Sequence, residues 1–389
     1  GMSSFQALAT AVAAQVGTGN VAGTATALVS GGPGALFWLW VAAFFGMATI
    51  FAEAVLAQTF KTTDEHGHVV GGPAYYITRG MGPKFKPLAA FFSIAIIIAL
   101  GCIGNMVQSN SISKGMHTAF DIPLLVSGIV TAILAGLVFF GGVRRLASVT
   151  EKLVPIMAAI YLLGGTYVIL CHIDLVGSAF ELIFTAAFNP QAMAGGALGL
   201  TVAKAMQFGV ARGLFSNEAG MGSTPHAHAI AKVEHPAEQG LVAIFGVFTT
   251  VLVVTFTGIV ILVTGVLDYQ VTGIELTQKA YNLGLGSLGM AFVAICLFFF
   301  AYSTIIGWYF FGEQNVRFLF GSGGLLPYRI VVCGFIVVGA TLKVDLVWAL
   351  ADLFNGLMVI PNLIALLVLH KVVSDSLRDF ERKLAQSGQ

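Results

Sequence analysis

Apolar residues in this chain neither alternate nor return every three or four positions; they run on for twenty residues and more. Such stretches cover residues 3–29, 34–60, 86–116, 122–143, 147–171, 193–222, 238–266, 287–320, 325–342 and 346–371. About 30 Å of hydrocarbon is crossed by a helix rising about 1.5 Å per residue, so the pattern predicts ten membrane spans. The third, sixth and eighth stretches exceed the minimum, as tilted or broken helices do. Polar residues crowd the second half of the sixth. Two connecting stretches have patterns of their own. Residues 172–191 mix apolar and polar positions as an interfacial helix does. Residues 268–285, which include Gly273-Ile274-Glu275-Leu276-Thr277-Gln278, predict a short external helix that would cap a pathway.

The first stretch is interrupted at its middle by Gln15-Val16-Gly17-Thr18-Gly19-Asn20. Glycine costs about 1 kcal/mol in a helix interior, and Asn tolerates turn conformations. A kink or a small-residue packing face would account for this segment alone. The sixth stretch breaks the same way, through Lys204 to Gly222, with Gly209, Arg212, Gly213, Asn217, Glu218 and Gly220. Ten spans divided into two sets of five each begin with an interrupted helix. Five is odd, so the two sets run oppositely through the membrane. Paired interruptions in corresponding spans are the mark of a solute site at mid-membrane in a secondary transporter. The predicted architecture is therefore all-α, integral to the membrane, with a first repeat over 1–171, an external connector over 172–191, an inverted second repeat over 192–371 and a tail over 372–389.

Composition narrows this further. The chain is 57% hydrophobic and 10% charged, against about 25% charged for soluble domains. A formal net charge of +1 gives no footprint for nucleic acid. Of the 19 Lys and Arg, 14 fall on the side where both ends of the sequence lie, which places both ends in the cytoplasm and the protein in the cytoplasmic membrane. The four cysteines sit singly in apolar stretches, so neither a disulfide framework nor a metal cluster is expected. His226 and His228, two residues apart, do not share a helix face, and a metal site there is not expected either. No repeated selectivity filter argues for a channel. No HExxH, suitably placed Gly-x-Ser-x-Gly or carboxylate dyad argues for an enzyme.

Several strings resemble the alanine or glycine:cation symporter family: Phe5-Gln6-Ala7-Leu8-Ala9-Thr10, Gly17-Thr18-Gly19-Asn20, Gly31-Gly32-Pro33-Gly34-Ala35-Leu36-Phe37-Trp38, Gly71-Gly72-Pro73-Ala74-Tyr75-Tyr76-Ile77, and Gly209-Val210-Ala211-Arg212-Gly213-Leu214-Phe215-Ser216-Asn217-Glu218-Ala219-Gly220. The match runs in order from the first residue to about residue 370. The resemblance implies a leucine-transporter-type core with helices 1 and 6 discontinuous, and sodium-coupled symport of small neutral amino acids such as alanine and glycine. Na⁺ would be the coupling ion, with no other cofactor, and a monomer is expected. Members of the family carry a further helix before this core, so an upstream piece is expected to be missing. Another carrier of the same fold, with a different solute or with proton coupling, is the nearest rival.

A zwitterion needs donors for its carboxylate and acceptors for its ammonium. Unwound backbone at Gly17, Thr18, Gly19 and Asn20 offers both, although Asn20 can equally cap the following half-helix. Gln108 donates and accepts without charge; the family pattern makes it a substrate contact, while an interhelical bond is the alternative. Asn105 and Asn110 read as packing residues. Phe208, Gly209 and Val210 are expected to line the side-chain end. Thr304 and Trp308 lie one turn apart and share a helix face; the resemblance supports Trp308 as a wall for a small side chain, with ordinary core packing as the alternative. Ser303 and Thr304 hydroxyls with carbonyls near Val16 and Gly19 form the expected sodium site, where the resemblance places the most widely shared one; back-bonding within the helix is the alternative. Arg212, Asn217, Glu218 and Glu53 are expected to be structural or gating, with an Arg212–Glu218 network or a Glu53 proton relay as options.

Overall fold

The computed structural model describes residues 1–189 and 200–388. The start of the sixth apolar stretch and the end of the connector, 190–199, lie outside the described residues. Helices dominate. Helix α1 (Ser4–Gln15) opens on a capping box between Ser3 and Gln6, and α2 (Thr24–Gly31) continues it after a π-helical turn, Gly19–Gly23. Then come α3 (Gly34–Thr59), a two-stranded hairpin (Thr62–Thr63 with Val69–Val70) and α4 (Pro73–Tyr76). The third apolar stretch is α5 (Lys86–Ile96) and α6 (Asn105–Phe120), joined by a π-helical segment, Ile97–Gly104. Helices α7 (Leu124–Phe139), α8 (Gly142–Cys171) and α9 (Ile173–Phe188) follow. The rest is α10 (Val202–Asn217), α11 (Pro225–Ile230), α12 (Pro236–Val263), α13 (Gly273–Leu285), α14 (Gly289–Phe320), α15 (Leu325–Gly339), α16 (Val344–Val368) and α17 (His370–Ser387).

Among the described residues, six helical runs are long and apolar enough to cross a membrane, and one of them, Gly273–Gly339, contains α13, α14 and α15. The protein is a multi-pass membrane protein. Its outer surface is correspondingly greasy: Phe44, Phe45, Leu137, Leu163, Ile330 and Leu367 are each at least 60% exposed. Lipid, not water, suits such a face.

The helices approach each other through glycines, as membrane helices do. A Cβ on Gly209 would collide with the Ala35 carbonyl and come within 2.9 Å of Trp38 Cβ, so α10 lies flush on α3. A Cβ on Gly240 would come 2.6 Å from the Phe51 ring, which brings α12 against α3's other end. Helix α9 packs Phe180, Phe184 and Phe188 against Trp40 and Phe37. Helix α13 is no loose loop: Ile274, Leu276, Thr277, Gln278 and Tyr281 are buried, and the Thr277 hydroxyl donates to the Val21 carbonyl at 2.9 Å.

Two features depart from the expected layout. The tail is an amphipathic helix, α17, whose Val373, Leu377 and Phe380 pack onto Phe51, Val55 and Ala237. In the sixth stretch, α10 runs unbroken through Gly209 and Gly213 to Asn217. Those glycines serve contact with α3 (Leu39 Cγ would stand 3.3 Å from a Cβ on Gly213), so they do not unwind the helix.

This packing is testable. Gly209→Ala forces a methyl against backbone that cannot swing aside, and overpacking of this kind costs about 1–3 kcal/mol. Gly177→Ala, where nothing lies within 4 Å, should instead gain some helix propensity. Thermal unfolding in detergent should show a lower midpoint for Gly209→Ala only. Equal midpoints would mean that α3 and α10 are not in close contact.

Candidate functional site

Helix α1 ends because its backbone is paid off elsewhere. Val16 leaves the helical region (φ −97°, ψ 89°), and the Asn20 side-chain amide donates to the Gln15 carbonyl at 2.7 Å. The freed Thr18 N–H donates to Gln108 Oε1 of α6 at 3.0 Å. Glycine is required here by space. A Cβ on Gly17 would collide with Thr304 Oγ1 and stand 3.0 Å from Gln108 Oε1; one on Gly19 would stand 2.7 Å from the Phe215 ring and 3.0 Å from Ser216 Oγ. The four elements α1, α6, α10 and α14 therefore meet at this turn.

Two kinds of atom are left over around it. Gln108 Nε2, Thr18 Oγ1, Asn20 Oδ1, Gln15 Oε1 and Ser216 Oγ are buried without a hydrogen-bond partner in the protein. Buried polar atoms are costly to leave unpaired, about 1–3 kcal/mol each. Beside them lies an excess of acceptors. Thr304 Oγ1 is 2.8 Å from the Ala13 carbonyl, 3.4 Å from that of Val16 and 3.0 Å from that of Phe300. Ser303 Oγ is 2.9 Å from the Phe300 carbonyl and 3.4 Å from that of Ala13. Two hydroxyl protons face three carbonyls, all neutral oxygens, in a site where a hard cation could replace those protons as partner.

The structure brings Gly17, Thr18, Gly19, Asn20, Gln108, Ser303, Thr304 and Trp308 together. It separates others. Phe208 is half-buried, Gly209 is spent on α3, and Val210 is 46% exposed, so none of the three stands in this cluster. Phe215 and Ser216, nearly two turns later, occupy the place expected for them. The clue was available: Phe215 and Ser216 immediately precede Asn217, Glu218, Gly220 and Gly222, where the turn residues thicken. The Gly19 carbonyl is also not among the cation-facing oxygens, because it accepts the Thr24 N–H inside the π turn. Ala13 and Phe300, whose carbonyls carry no side-chain signature, stand there with Val16. Asn105 and Asn110 bond to the carbonyls of Gly101 and of Gly339 and Leu342.

The second interruption runs from Glu218 to Thr224. Glu218 is left-handed (φ 60°), as are Gly220 and Gly222 (φ 93° and 80°). Its freed backbone is held by Glu53 of α3, whose carboxylate accepts from Gly220 N at 2.5 Å and Gly222 N at 2.9 Å. Asn362 of α16 donates to the Gly220 carbonyl at 2.9 Å and in turn accepts from the Tyr76 hydroxyl. The two interruptions touch: Gln15 Nε2 donates to the Asn217 carbonyl at 2.6 Å. Glu218 accepts from the Trp308 indole N–H and, at 2.6 Å, from Ser223 Oγ. Arg212 does not pair with Glu218. It makes a two-pronged ion pair with Asp352 of α16, at 2.7 and 3.1 Å, donates to Thr26 Oγ1 and lies 4.4 Å over the Trp348 ring.

The cluster is covered on both sides. On the side where α10 begins, the Arg212 guanidinium lies over the Trp348 ring, which meets the Phe215 ring at 56° with centroids 4.7 Å apart. On the side where α1 begins lies a cavity of about 940 Å³ lined by Gln6, Arg144, Glu151, Glu313, Arg317 and Arg329. Thr10 and Thr150, 3.3 Å apart, and Gln6 with Glu151 join α1 to α8 beside it.

Three comparisons with known proteins bear on this arrangement. The chain is 44% identical over 386 residues to the sodium/alanine symporter AgcS of Methanococcus maripaludis, covering 97% of this chain and 84% of that one. It is 43% identical over 385 residues to the Bacillus subtilis protein named "Probable sodium/glutamine symporter GlnT", covering 98% and 79%. A crystal structure of the Eremococcus coleocola manganese transporter superposes with a TM-score of 0.59 over 94% of this chain and 76% of that one; at 14% identity it speaks for the fold alone. The family model for the sodium:alanine symporters matches residues 1–389. With two interrupted helices meeting at a buried polar turn and a family match from end to end, this chain belongs to the sodium:alanine symporter family, whose members are transporters and not enzymes.

Proposed function

We propose that this protein carries a small neutral amino acid, alanine or glycine, across the cytoplasmic membrane together with Na⁺, by alternating access. The reading rests above all on the three carbonyls of Ala13, Val16 and Phe300 gathered on the Ser303 and Thr304 hydroxyls. Such a site, built of neutral oxygens, takes an alkali cation more readily than a proton. The unpaired Gln108 amide supplies donors for a carboxylate, and Asn20 Oδ1 and Ser216 Oγ supply acceptors for an ammonium. Phe215 and Trp308, 5.3 Å apart and edge to face, wall the remaining end without any charge.

In this reading the ten spans form a leucine-transporter-type pair of inverted five-helix repeats, 1–171 and 192–371, joined through α9. The distribution of basic residues supports a cytoplasmic side for both ends of the sequence. The 940 Å³ cavity is then a cytoplasmic vestibule, and the Arg212–Asp352 pair lies on the outer side. The two named relatives carry names with different amino acids, alanine and glutamine; the tight wall of Phe215 and Trp308 favours the smaller.

Three outcomes are expected in proteoliposomes. Thr304→Ala should raise the sodium concentration for half-maximal alanine uptake several-fold; an unchanged sodium dependence would remove Thr304 from the cation site, and uptake driven equally by a pH gradient without sodium would sink the cation assignment altogether. Alanine and glycine should compete for uptake and valine only weakly, since one extra methylene in a tight pocket is worth about 1–3 kcal/mol; potent competition by arginine or aspartate would exclude this pocket. Gly19→Leu should abolish alanine binding in calorimetry while the protein still unfolds cooperatively, because the leucine would occupy the space against Phe215 and Ser216. Normal binding by that variant would make the turn a scaffold only.

A further inference from the structure

Glu218 is fully buried, at a left-handed position, and among the described residues no basic side chain is bonded to it. A carboxyl at such depth is unusual unless its hydrogen bonds serve something. Both its oxygens are used. One accepts from the indole N–H of Trp308 on α14, the other from Ser223 at the start of α11. The Trp308 ring is confined on its other sides as well. The Gly104 backbone, at the end of the π-helical segment before α6, lies so close that a Cβ there would stand 2.6 Å from the ring, and the Phe215 ring meets it edge to face at 5.3 Å. Of these three restraints, only the bond to Glu218 acts on the indole N–H; contact with Gly104 and Phe215 confines the ring without specifying where its N–H points.

We propose that Glu218 is a positioning residue that sets the size limit for the transported side chain by holding the Trp308 indole in place. This inference rests on the reading above that Trp308 walls the side-chain end of the site. It adds that the limit is set from the second interruption, since the carboxyl belongs to its first residue and is anchored to Ser223 at its far end. Without an acceptor at 218 the indole is no longer held at its N–H, and a shift of the ring leaves space for a larger side chain. The substitution would then relax discrimination more than it weakens alanine binding.

The test measures competition by alanine and by valine against labelled alanine on purified protein, for wild type, E218M, E218Q and W308F. Methionine keeps the volume of Glu218 but offers no comparable acceptor; glutamine keeps one. E218M should lower the valine-to-alanine discrimination about tenfold, within the range one methylene commands, and E218Q should retain the wild-type ratio. W308F, which removes the N–H, should lower it similarly, and E218M combined with W308F should lower it no further. A general loss of structure would weaken both amino acids together and would not be rescued by glutamine. If W308F leaves the ratio unchanged, Trp308 is not the wall and the reading of the site fails. If W308F changes the ratio but E218M matches wild type, or the two effects multiply, the role assigned to Glu218 is overturned. Should E218M not fold, E218L is read in the same way.

Discussion

Everything in this structure follows from one constraint: a helix that opens inside hydrocarbon must find partners for the backbone groups it releases. Each unsatisfied group costs several kcal/mol there. At the first interruption the Gln108 amide oxygen takes the Thr18 N–H, and the Asn20 amide covers the Gln15 carbonyl. At the second, Glu53 takes two N–H groups and Asn362 covers one carbonyl. These side chains come from three different helices, so satisfying the breaks also docks α3, α6 and α16 onto them. The price of opening the helix and the assembly of the site are the same interactions.

The two breaks differ in how fully they are satisfied. Around the second break, Glu53, Asn362 and Tyr76 hold the released backbone as a network, and the Thr224 hydroxyl at its end is left without a partner. Around the first, five buried side-chain atoms lack partners and three carbonyls compete for two hydroxyl protons. A native structure retains such atoms where something else completes them. The contrast separates roles that the sequence alone leaves merged, since both segments are rich in Gly, Asn and Thr or Glu. The first break holds most of the unpaired buried polar atoms around it; the second is braced mainly by side chains of the protein itself.

How much of this the sequence discloses depends on which atoms do the work. Long apolar runs disclose the spans, and Gly17-Thr18-Gly19-Asn20 discloses the first break, because side-chain identity and backbone behaviour coincide there. At the second break they diverge. Gly209 and Gly213 resemble helix breakers, yet they are small because α3 lies against them, and a single sequence does not separate a glycine used for turning from one used for contact. The displaced assignment of Phe208, Gly209 and Val210 follows from that confusion. Backbone donors are less legible still: Ala13 and Phe300 face the hydroxyls through carbonyls that every residue has. The partner of Arg212 was hidden by distance, as Asp352 lies 140 residues away. The tail helix α17 was legible in the spacing of Val373, Leu377 and Phe380, a three-to-four repeat after a string of twenty-residue runs.

The two interruptions are not independent parts. Gln15 at the end of α1 donates to the Asn217 carbonyl at the end of α10, so the last turn of each broken helix is tied to the other at 2.6 Å. Phe215 extends the tie: its ring lies against Gly19, meets the Trp308 ring edge to face and meets the Trp348 ring at a tilt. Trp348 in turn carries Arg212, whose partner Asp352 stands one turn further along α16. One aromatic ring thus joins the turn of the first broken helix, the last turn of α10 and α16, so none of the three is seated without the other two.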